Sequence, residues 1–348
     1  AECLKSCRKQ TLKDIEIICV DDGSNDNSLS IIKKFAKKDK RIRYISKKNS
    51  GYGNTMNVGM DNATGEYIGI VESDDYVAKD MFETLYNKAK EYSLDVVKSD
   101  YCTFSTANGY KHSVYECTCP EITYYDRLIE PKKLKKIFSF QMNTWTGIYR
   151  TDFLRENNIR HNETPGASYQ DNGFWFQTLA LAKRVMFVNK AFYYYRQDNP
   201  NSSINSKSKV FCMNEEYKFI YDFINSNEEV KENFAEEYFI KKFFNYMHTY
   251  QRIAEEYKLT FLERFASEFR QSIESNELKL EKLKDNWVKM MCMRIVDNYK
   301  LFYYEDSIYS MEQRLNDATE RLNRVRNSKE MIKGRKYTSK IKKILGRI

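Results

Sequence analysis

Proline is scarce in this 348-residue chain: there are four, and none after Pro200. Nothing in the last two fifths therefore breaks a helix by losing a backbone donor. Histidine is scarcer still, at positions 112, 161 and 248 only. The eight cysteines (Cys3, Cys7, Cys19, Cys102, Cys117, Cys119, Cys212 and Cys292) are scattered, with no CxxC knuckle and no Cys/His cluster. That pattern excludes a zinc module and a disulfide scaffold, and buried, reduced thiols are the expectation. No apolar run approaches the roughly 20 residues of a membrane helix. Glu2, Lys5 and Arg8 interrupt any leader-like stretch, so a cytoplasmic protein is expected. Without a secretory route the sequon Asn62-Ala63-Thr64 carries no meaning. A net charge of +9 would suit nucleic acid, but acids intersperse the lysines until the final stretch, which argues against such a partner.

What is present is a 41% hydrophobic, 31% charged composition, enough for two or three packing units. Ile15 to Val20, Ile42 to Ile45, Glu66 to Val71 and Asp95 to Lys98 read as strands. Ser28 to Lys38, Gly53 to Ala63 and Met81 to Tyr92 read as helices between them. This alternation implies an α/β fold with right-handed crossovers, a mostly parallel sheet and helices on both faces. Ligands then sit at the carboxyl ends of the strands. Residues 101–119 suggest a hairpin, Pro131 to Phe140 a helix, and Val185 to Tyr195 two short strands. From about Lys207 the pattern is helical. The heptad series Ile308, Met311, Leu315, Ala318, Leu322 and Val325 fits either a coiled coil, which would pair two copies, or a packed hairpin.

Acidic residues cluster where the strands end. Val20-Asp21-Asp22-Gly23-Ser24-Asn25-Asp26 follows the first strand. Its carboxylates can accept hydrogen bonds from a nucleotide base, and Gly23 permits a tight turn. The plainer reading is an Asp-rich turn that caps the next helix through Asp26 or Asn27. Glu72-Ser73-Asp74-Asp75 follows the third strand. Three carboxylates in four residues repel one another unless a cation neutralises them, and such ligands suit Mg²⁺ or Mn²⁺ on a diphosphate. An acidic surface loop is the plainer alternative.

Taken in order, Asp21-Asp22-Gly23-Ser24-x-Asp26, Asn49-x-Gly51-x-Gly53-x-x-x-Asn57-x-Gly59, Ala63-Thr64-Gly65-Glu66-Tyr67 and Glu72-Ser73-Asp74-Asp75 resemble the signatures of family 2 glycosyltransferases over roughly residues 1–100. The resemblance implies a GT-A, Rossmann-like fold and an inverting transfer from a nucleotide-sugar, most often UDP-linked. It also implies a divalent metal, Mn²⁺ or Mg²⁺. Asp22, with Asp21 beside it, would lie near the base, with Gly53 and Asn57 also on the donor side. Glu72 and Asp74 would lie near the ribose and metal, with Asp75 the competing metal ligand. Glu72 departs from the commoner Asp by one methylene. The family's opening strand and its Pro-x-Tyr/Phe-Asn-like loop have no counterpart before Ala1-Glu2-Cys3-Leu4, so an N-terminal truncation is expected.

Further on, Gln170-Asp171 before an aromatic helix resembles the family's Glu-Asp pair. Displacement at an anomeric carbon needs a base for the acceptor hydroxyl, and Asp171 is the candidate, with a helix cap as the alternative. Trp145, Tyr169 and Gln170 are the acceptor-side candidates by the same resemblance, although a core Trp is equally natural. Arg196, on the loop after the last strand, is placed to neutralise a leaving diphosphate or is a surface arginine. The segments expected are a donor-binding half (1–100), an acceptor-binding half (101–206), a helical region (207–332) and a basic amphipathic tail (333–348). The tail holds seven Lys/Arg and no acid, a composition drawn to the anionic inner face of a membrane or left as a frayed terminus. The function expected is transfer to a glycan or lipid-linked acceptor in surface polysaccharide synthesis. The rivals are a sugar-nucleotide nucleotidyltransferase, which would want a Gly-rich basic phosphate loop, and a non-catalytic scaffold retaining the fold.

Overall fold

The computed structural model describes residues 1–107, 110–199, 209–329, 331–334 and 336. It divides into two compact units, Ala1–Ala254 and Glu255–Ile348. In the first unit the order is α1 (Glu2–Arg8), β1 (Ile17–Asp21), α2 (Ser28–Ala36), β2 (Ile42–Ser46), α3 (Tyr52–Asn62), β3 (Tyr67–Gly69), β4 (Tyr76–Val77), α4 (Met81–Tyr92), β5 (Val96–Ala107) and β6 (Tyr110–Glu116). It continues with β7 (Gly147–Arg150), α5 (Thr151–Glu156), α6 (Gln170–Leu181), β8 (Val185–Arg196), α7 (Cys212–Asn225) and α8 (Glu228–Arg252). The eight cysteines are unpaired.

The α/β class holds, and the sheet is mixed. β1 and β2 form a parallel pair, and β5 and β8 pair in parallel at the centre of the second sheet, ordered β3-β7-β5-β8-β4 with β6 on β5. The other pairs are antiparallel, so parallel pairing is less extensive than the alternation of elements implies. The cause lies in residues 101–150. After the β5–β6 hairpin the chain returns and inserts β7 between β3 and β5, running against both. The two short strands expected over 185–195 are one, β8. Its register against β5 jumps from Ser99–Val188 to Asp100–Ala191, so Asn189 and Lys190 bulge out, exposed. The helix expected over 131–140 is instead a turn followed by a short 3₁₀ segment, Lys135–Ser139. Burial of Ile137, Phe138 and Phe140 together is a spacing that one face of an α-helix does not give.

The core lies between α4 and the sheet. Met81, Leu85 and Ala89 fall one above another on α4 and are fully buried against Val97, Ile148 and Met186. Burial of Met81 and Leu85 is worth about 1.5–3 kcal/mol each. α7 and α8 pack on one another and on α6, so the unit boundary falls at Ala254 and Glu255 rather than near residue 207.

In the second unit α9 (Glu255–Glu274) packs on α10 (Asn286–Arg326). α10 breaks at Asn298 (φ −152°, ψ 84°), whose side chain accepts from the Leu301 amide at 2.9 Å and caps the continuation. Ile308, Met311, Leu315, Leu322 and Val325 are exposed, so over this stretch the described residues do not form a packed hairpin. Among the described residues no helix is long and apolar enough to cross a membrane. The tail residues Tyr337, Ile341, Ile344, Leu345 and Ile348 lie outside the described residues.

Candidate active site

The loop after β3 turns back at once, with the Asp75 amide on the Glu72 carbonyl at 3.2 Å. Asp75 points inward and is wholly buried. The Tyr193 hydroxyl donates to its Oδ2 and the Arg196 amide to its Oδ1, both at 2.8 Å. Wholly buried and with both oxygens engaged in the fold, Asp75 is the less accessible of the two candidate metal ligands. Asp74 faces outward, partly exposed, with one oxygen accepting from Asn199 at 2.9 Å. The Glu72 carboxylate accepts from the Tyr52 hydroxyl at 2.7 Å. Burial, then the charges of Asp75, Asp171 and Asp74, push its pKa up to about 7 against the Tyr52 hydrogen bond.

Arg196 braces this loop. Its Nε donates to the Asp74 carbonyl at 2.9 Å, while its outer nitrogens reach Asp198 (3.2 Å) and Glu2 (2.9 Å). A guanidinium held on three sides positions Asp74 and is not a free counter-charge for a diphosphate.

Asp22 directly follows β1. It takes the amides of Ser50 (2.9 Å) and Gly51 (3.0 Å) and an ion pair from Lys47. Burial opposes its charge, but these donors outweigh it and hold Asp22 below the usual carboxylate range. Asp21 is buried, with Oδ2 accepting from Ser46 at 3.1 Å and Oδ1 lacking a partner. Gly23 turns the chain at φ 74°, and Asp26 accepts from the Ser28 amide at 2.8 Å, while Asn27 holds the cap position of α2 without a side-chain cap hydrogen bond.

Gly53 and Asn57 face the segment 161–166. A Cβ on Gly53 would lie 1.8 Å from the Asn162 carbonyl oxygen, and Asn57 bonds His161 through both its backbone N–H and its carbonyl, and Glu163 through its carboxylate. What they do in this fold is dock the two halves of the unit. Gln170 is likewise saturated. It is 1% exposed, accepts from the Ser168 amide and donates to Thr164 and Gly166, so the acceptor-contact expectation for it gives way to a loop clamp.

Tyr169, at φ 68°, occupies the cap position of α6, leaving Asp171 in the first helical turn rather than at the cap. Burial pushes the Asp171 carboxyl up to about 6, against hydrogen bonds from its own backbone and that of Asn172. Asp171 lines a cleft of about 550 Å³ together with Tyr169, Tyr195, Met142 and residues of α8. Tyr195 joins the two carboxylate groups: burial, then Asp75, Asp74, Asp171 and Glu72 all act to raise its pKa. Trp145 stacks on Tyr195 (5.2 Å) and leans on Tyr193 (4.3 Å), supporting the cleft from behind.

Residues 1–155 match the family model described as Glycosyl transferase family 2. This stretch, a little under half of the chain, is what resembles the family 2 glycosyltransferases. It is 34% identical over 202 residues to "Glycosyltransferase GlyA" of Streptococcus pneumoniae, a match covering 56% of this chain and 28% of that protein. It is 35% identical over 208 residues to "Uncharacterized glycosyltransferase EpsJ" of Bacillus subtilis, covering 58% of each. The chain thus spans less than two thirds of these curated relatives' length. Among solved structures, S. aureus TarS 1-349 in complex with UDP-GlcNAc superposes with a TM-score of 0.67 at 21% identity, over 86% of this chain and 84% of that one. The shared fold is GT-A.

Several residues of the site escaped sequence reading. Lys47 comes to the carboxylates from the loop after β2, Tyr52 from the start of α3, and Tyr193 and Tyr195 from β8, and no local pattern marks them. Glu216 on α7 is 1% exposed, takes the Gly173 amide at 2.7 Å and Asn162 at 3.0 Å, and burial pushes it up to about 8. One signal was available: Lys241, Asn245, His248 and Arg252 fall at i, i+4, i+7 and i+11 on α8, between buried Phe243, Tyr246, Met247 and Tyr250, and all four line the cleft.

Among the described residues no three His, Cys, Asp or Glu side chains form a ready cation cage. The donor set does fit an ion carried in with a diphosphate. Asp74 offers a partly exposed carboxylate, and magnesium-like ions take one or two carboxylates plus substrate phosphates.

Proposed function

We propose that this chain transfers a sugar from a nucleotide-sugar to a hydroxyl of a glycan or lipid-linked acceptor, with inversion at the anomeric carbon. The observation that supports it is that Asp171 and Tyr195 line one cleft, while Tyr193, two residues away on β8, accepts from the Glu72 amide at 3.0 Å and donates to the Asp75 carboxylate at 2.8 Å, so the acidic loop and Asp171 meet along one strand. Asp171 takes the acceptor hydroxyl proton as that oxygen bonds to the anomeric carbon. The bond from this carbon to the diphosphate oxygen breaks, and its electron pair leaves with the diphosphate. With a pKa near 6, Asp171 is ionised at neutral pH yet more basic than an ordinary Asp. Asp22 and Asp21 take the base side: Asp22 Oδ2 accepts one donor from the protein and, as a carboxylate oxygen, has room for another. Asp74 holds Mn²⁺ or Mg²⁺, which when bound offsets the charge of the leaving diphosphate. The donor proposed is a UDP-hexose or UDP-N-acetylhexosamine. The fold shared with TarS, solved with UDP-GlcNAc, supports that choice. The proposal extends to peripheral docking at the inner membrane face through 333–348 and to pairing of two copies along 308–325.

Thermal shift of the full chain tests the donor side. UDP with Mn²⁺ should raise Tm more than UDP alone, and Asp74→Ala should remove the increment due to Mn²⁺. If no UDP-, GDP- or dTDP-sugar moves Tm, the transferase reading falls.

A further inference from the structure

The turn from Glu72 to Asp75 is gripped from β8 by one hydroxyl. Tyr193 is wholly buried, its oxygen accepts from the Glu72 amide at 3.0 Å, and its proton goes to Asp75 Oδ2 at 2.8 Å. A phenol carries a single proton, so taking an N–H on one side and giving the O–H on the other fixes both directions. The Asp75 amide closes the same turn on the Glu72 carbonyl at 3.2 Å. Tyr193 therefore ties the first and last residues of the turn, and Asp74, inside it, keeps a partly exposed carboxylate. The ring is held as firmly as the hydroxyl. Its backbone pairs with Val77 of β4, the strand that the turn leads into. Trp145 lies 4.3 Å from the Tyr193 ring and is itself met edge-on by Tyr101 at 5.0 Å and stacked on Tyr195 at 5.2 Å. Packing of that density leaves the phenol little room to swing.

Resting on the transferase reading, we propose that Tyr193 is a positioning residue: by pinning both ends of the Glu72–Asp75 turn it presents the Asp74 carboxylate to a divalent ion held with the donor's diphosphate. Arg196 and Asn199 touch Asp74 itself, through its carbonyl and Oδ2, both at 2.9 Å. Tyr193 acts on its neighbours instead, from the core side. Without the hydroxyl, the Glu72 amide and the buried Asp75 carboxylate each lose a partner, and the turn regains hydrogen bonds only by opening. Groups that orient a ligand without touching the metal are typically worth about 10–100-fold in metal affinity.

The test is Mn²⁺ binding to the full chain at saturating UDP, read from the electron paramagnetic resonance signal of the free ion. The wild type should take up Mn²⁺, and Asp74→Ala should not. Tyr193→Phe should bind Mn²⁺ about 10–100-fold more weakly than the wild type. Its affinity for UDP in metal-free buffer should stay unchanged, because Asp22 and its loop are untouched. Trp145→Phe keeps the hydroxyl but loosens the ring, so it should weaken Mn²⁺ binding by a smaller factor; it stands in if Tyr193→Phe does not fold. Leu85→Val, a core change on α4, controls for lost stability and should leave Mn²⁺ affinity as it is. Unchanged or tighter Mn²⁺ binding by Tyr193→Phe, or by Trp145→Phe where it stands in, overturns the proposal, as does an equal loss in Leu85→Val. If Asp74→Ala abolishes uptake while Tyr193→Phe binds like the wild type, the positioning role falls alone and the transferase reading stands. If the wild type binds UDP but no Mn²⁺, the metal assignment falls and takes this proposal with it.

Discussion

Replacing Asp171 with Asn should lower the transfer rate about 10²–10⁴-fold while the affinity for UDP-sugar changes little, because the amide keeps the shape but cannot accept a proton. The pH profile separates this from a structural role. With its carboxyl pushed up to about 6, chiefly by burial, Asp171 is progressively protonated as the pH falls through 6. Read at saturating Mn²⁺, kcat/KM of the wild type should drop along that limb, and the residual activity of the variant should not. The linkage sign supplies a control. The unfolded carboxyl titrates near its ordinary value and the folded one about two units higher, so between these values the native state binds more protons and stability declines as pH rises. The Asn variant should therefore be at least as stable as the wild type at pH 7, and its lost activity cannot be blamed on unfolding. Full activity in Asp171→Asn would end the base assignment.

Gly53→Ala should destabilise the first unit by about 3 kcal/mol, a large effect for one methyl group. The added Cβ would sit 1.8 Å from the Asn162 carbonyl oxygen and 2.7 Å from its carbonyl carbon, both backbone atoms that no rotamer change can move aside. The 161–166 segment would have to shift by more than 1 Å while Asn57 and the Tyr52 amide still tether it to α3. In an unobstructed helix the same change would help by about 1 kcal/mol, so the sign of the result is diagnostic. Denaturant midpoints read the loss of stability. UDP affinity should fall too, because this segment runs on towards Asp171 and packs against Gly51 of the loop that Asp22 anchors. A neutral or stabilising outcome would mean that the two halves do not meet at Gly53.

The donor side was legible because its residues are close in the chain. Asp22 directly follows β1 and Asp74 lies on the loop after β3, and the loops at strand ends in an α/β sheet are where ligands gather. The same rule could not say which of two adjacent carboxylates faces out. Asp74 and Asp75 differ by one residue, and the turn closed by the Asp75 amide on the Glu72 carbonyl, together with the Tyr193 hydroxyl, decides between them. Gln170 and Arg196 have bonding that was not legible in the sequence for a related reason. Each has the chemistry of a ligand contact, yet each is consumed by loops brought to it from elsewhere: 164–168 for Gln170, and Glu2 with Asp198 for Arg196.

By itself the sequence determined the α/β class, the order of the elements from β1 to α4 with the exception of the two-residue β4, the motifs of the family it resembles and the acidic strand ends. All of these depend on periodicity and spacing over a few residues. Tertiary structure alone decided the antiparallel insertion of β7, the inward turn of Asp75, and the meeting of Asp171 and the acidic loop along β8, which Tyr195 carries into the cleft. It also decided that α8 turns Lys241, His248 and Arg252 into that cleft. The physical reason is that hydrogen-bond saturation and desolvation depend on what arrives from distant parts of the chain, and no local pattern encodes which groups will be buried together.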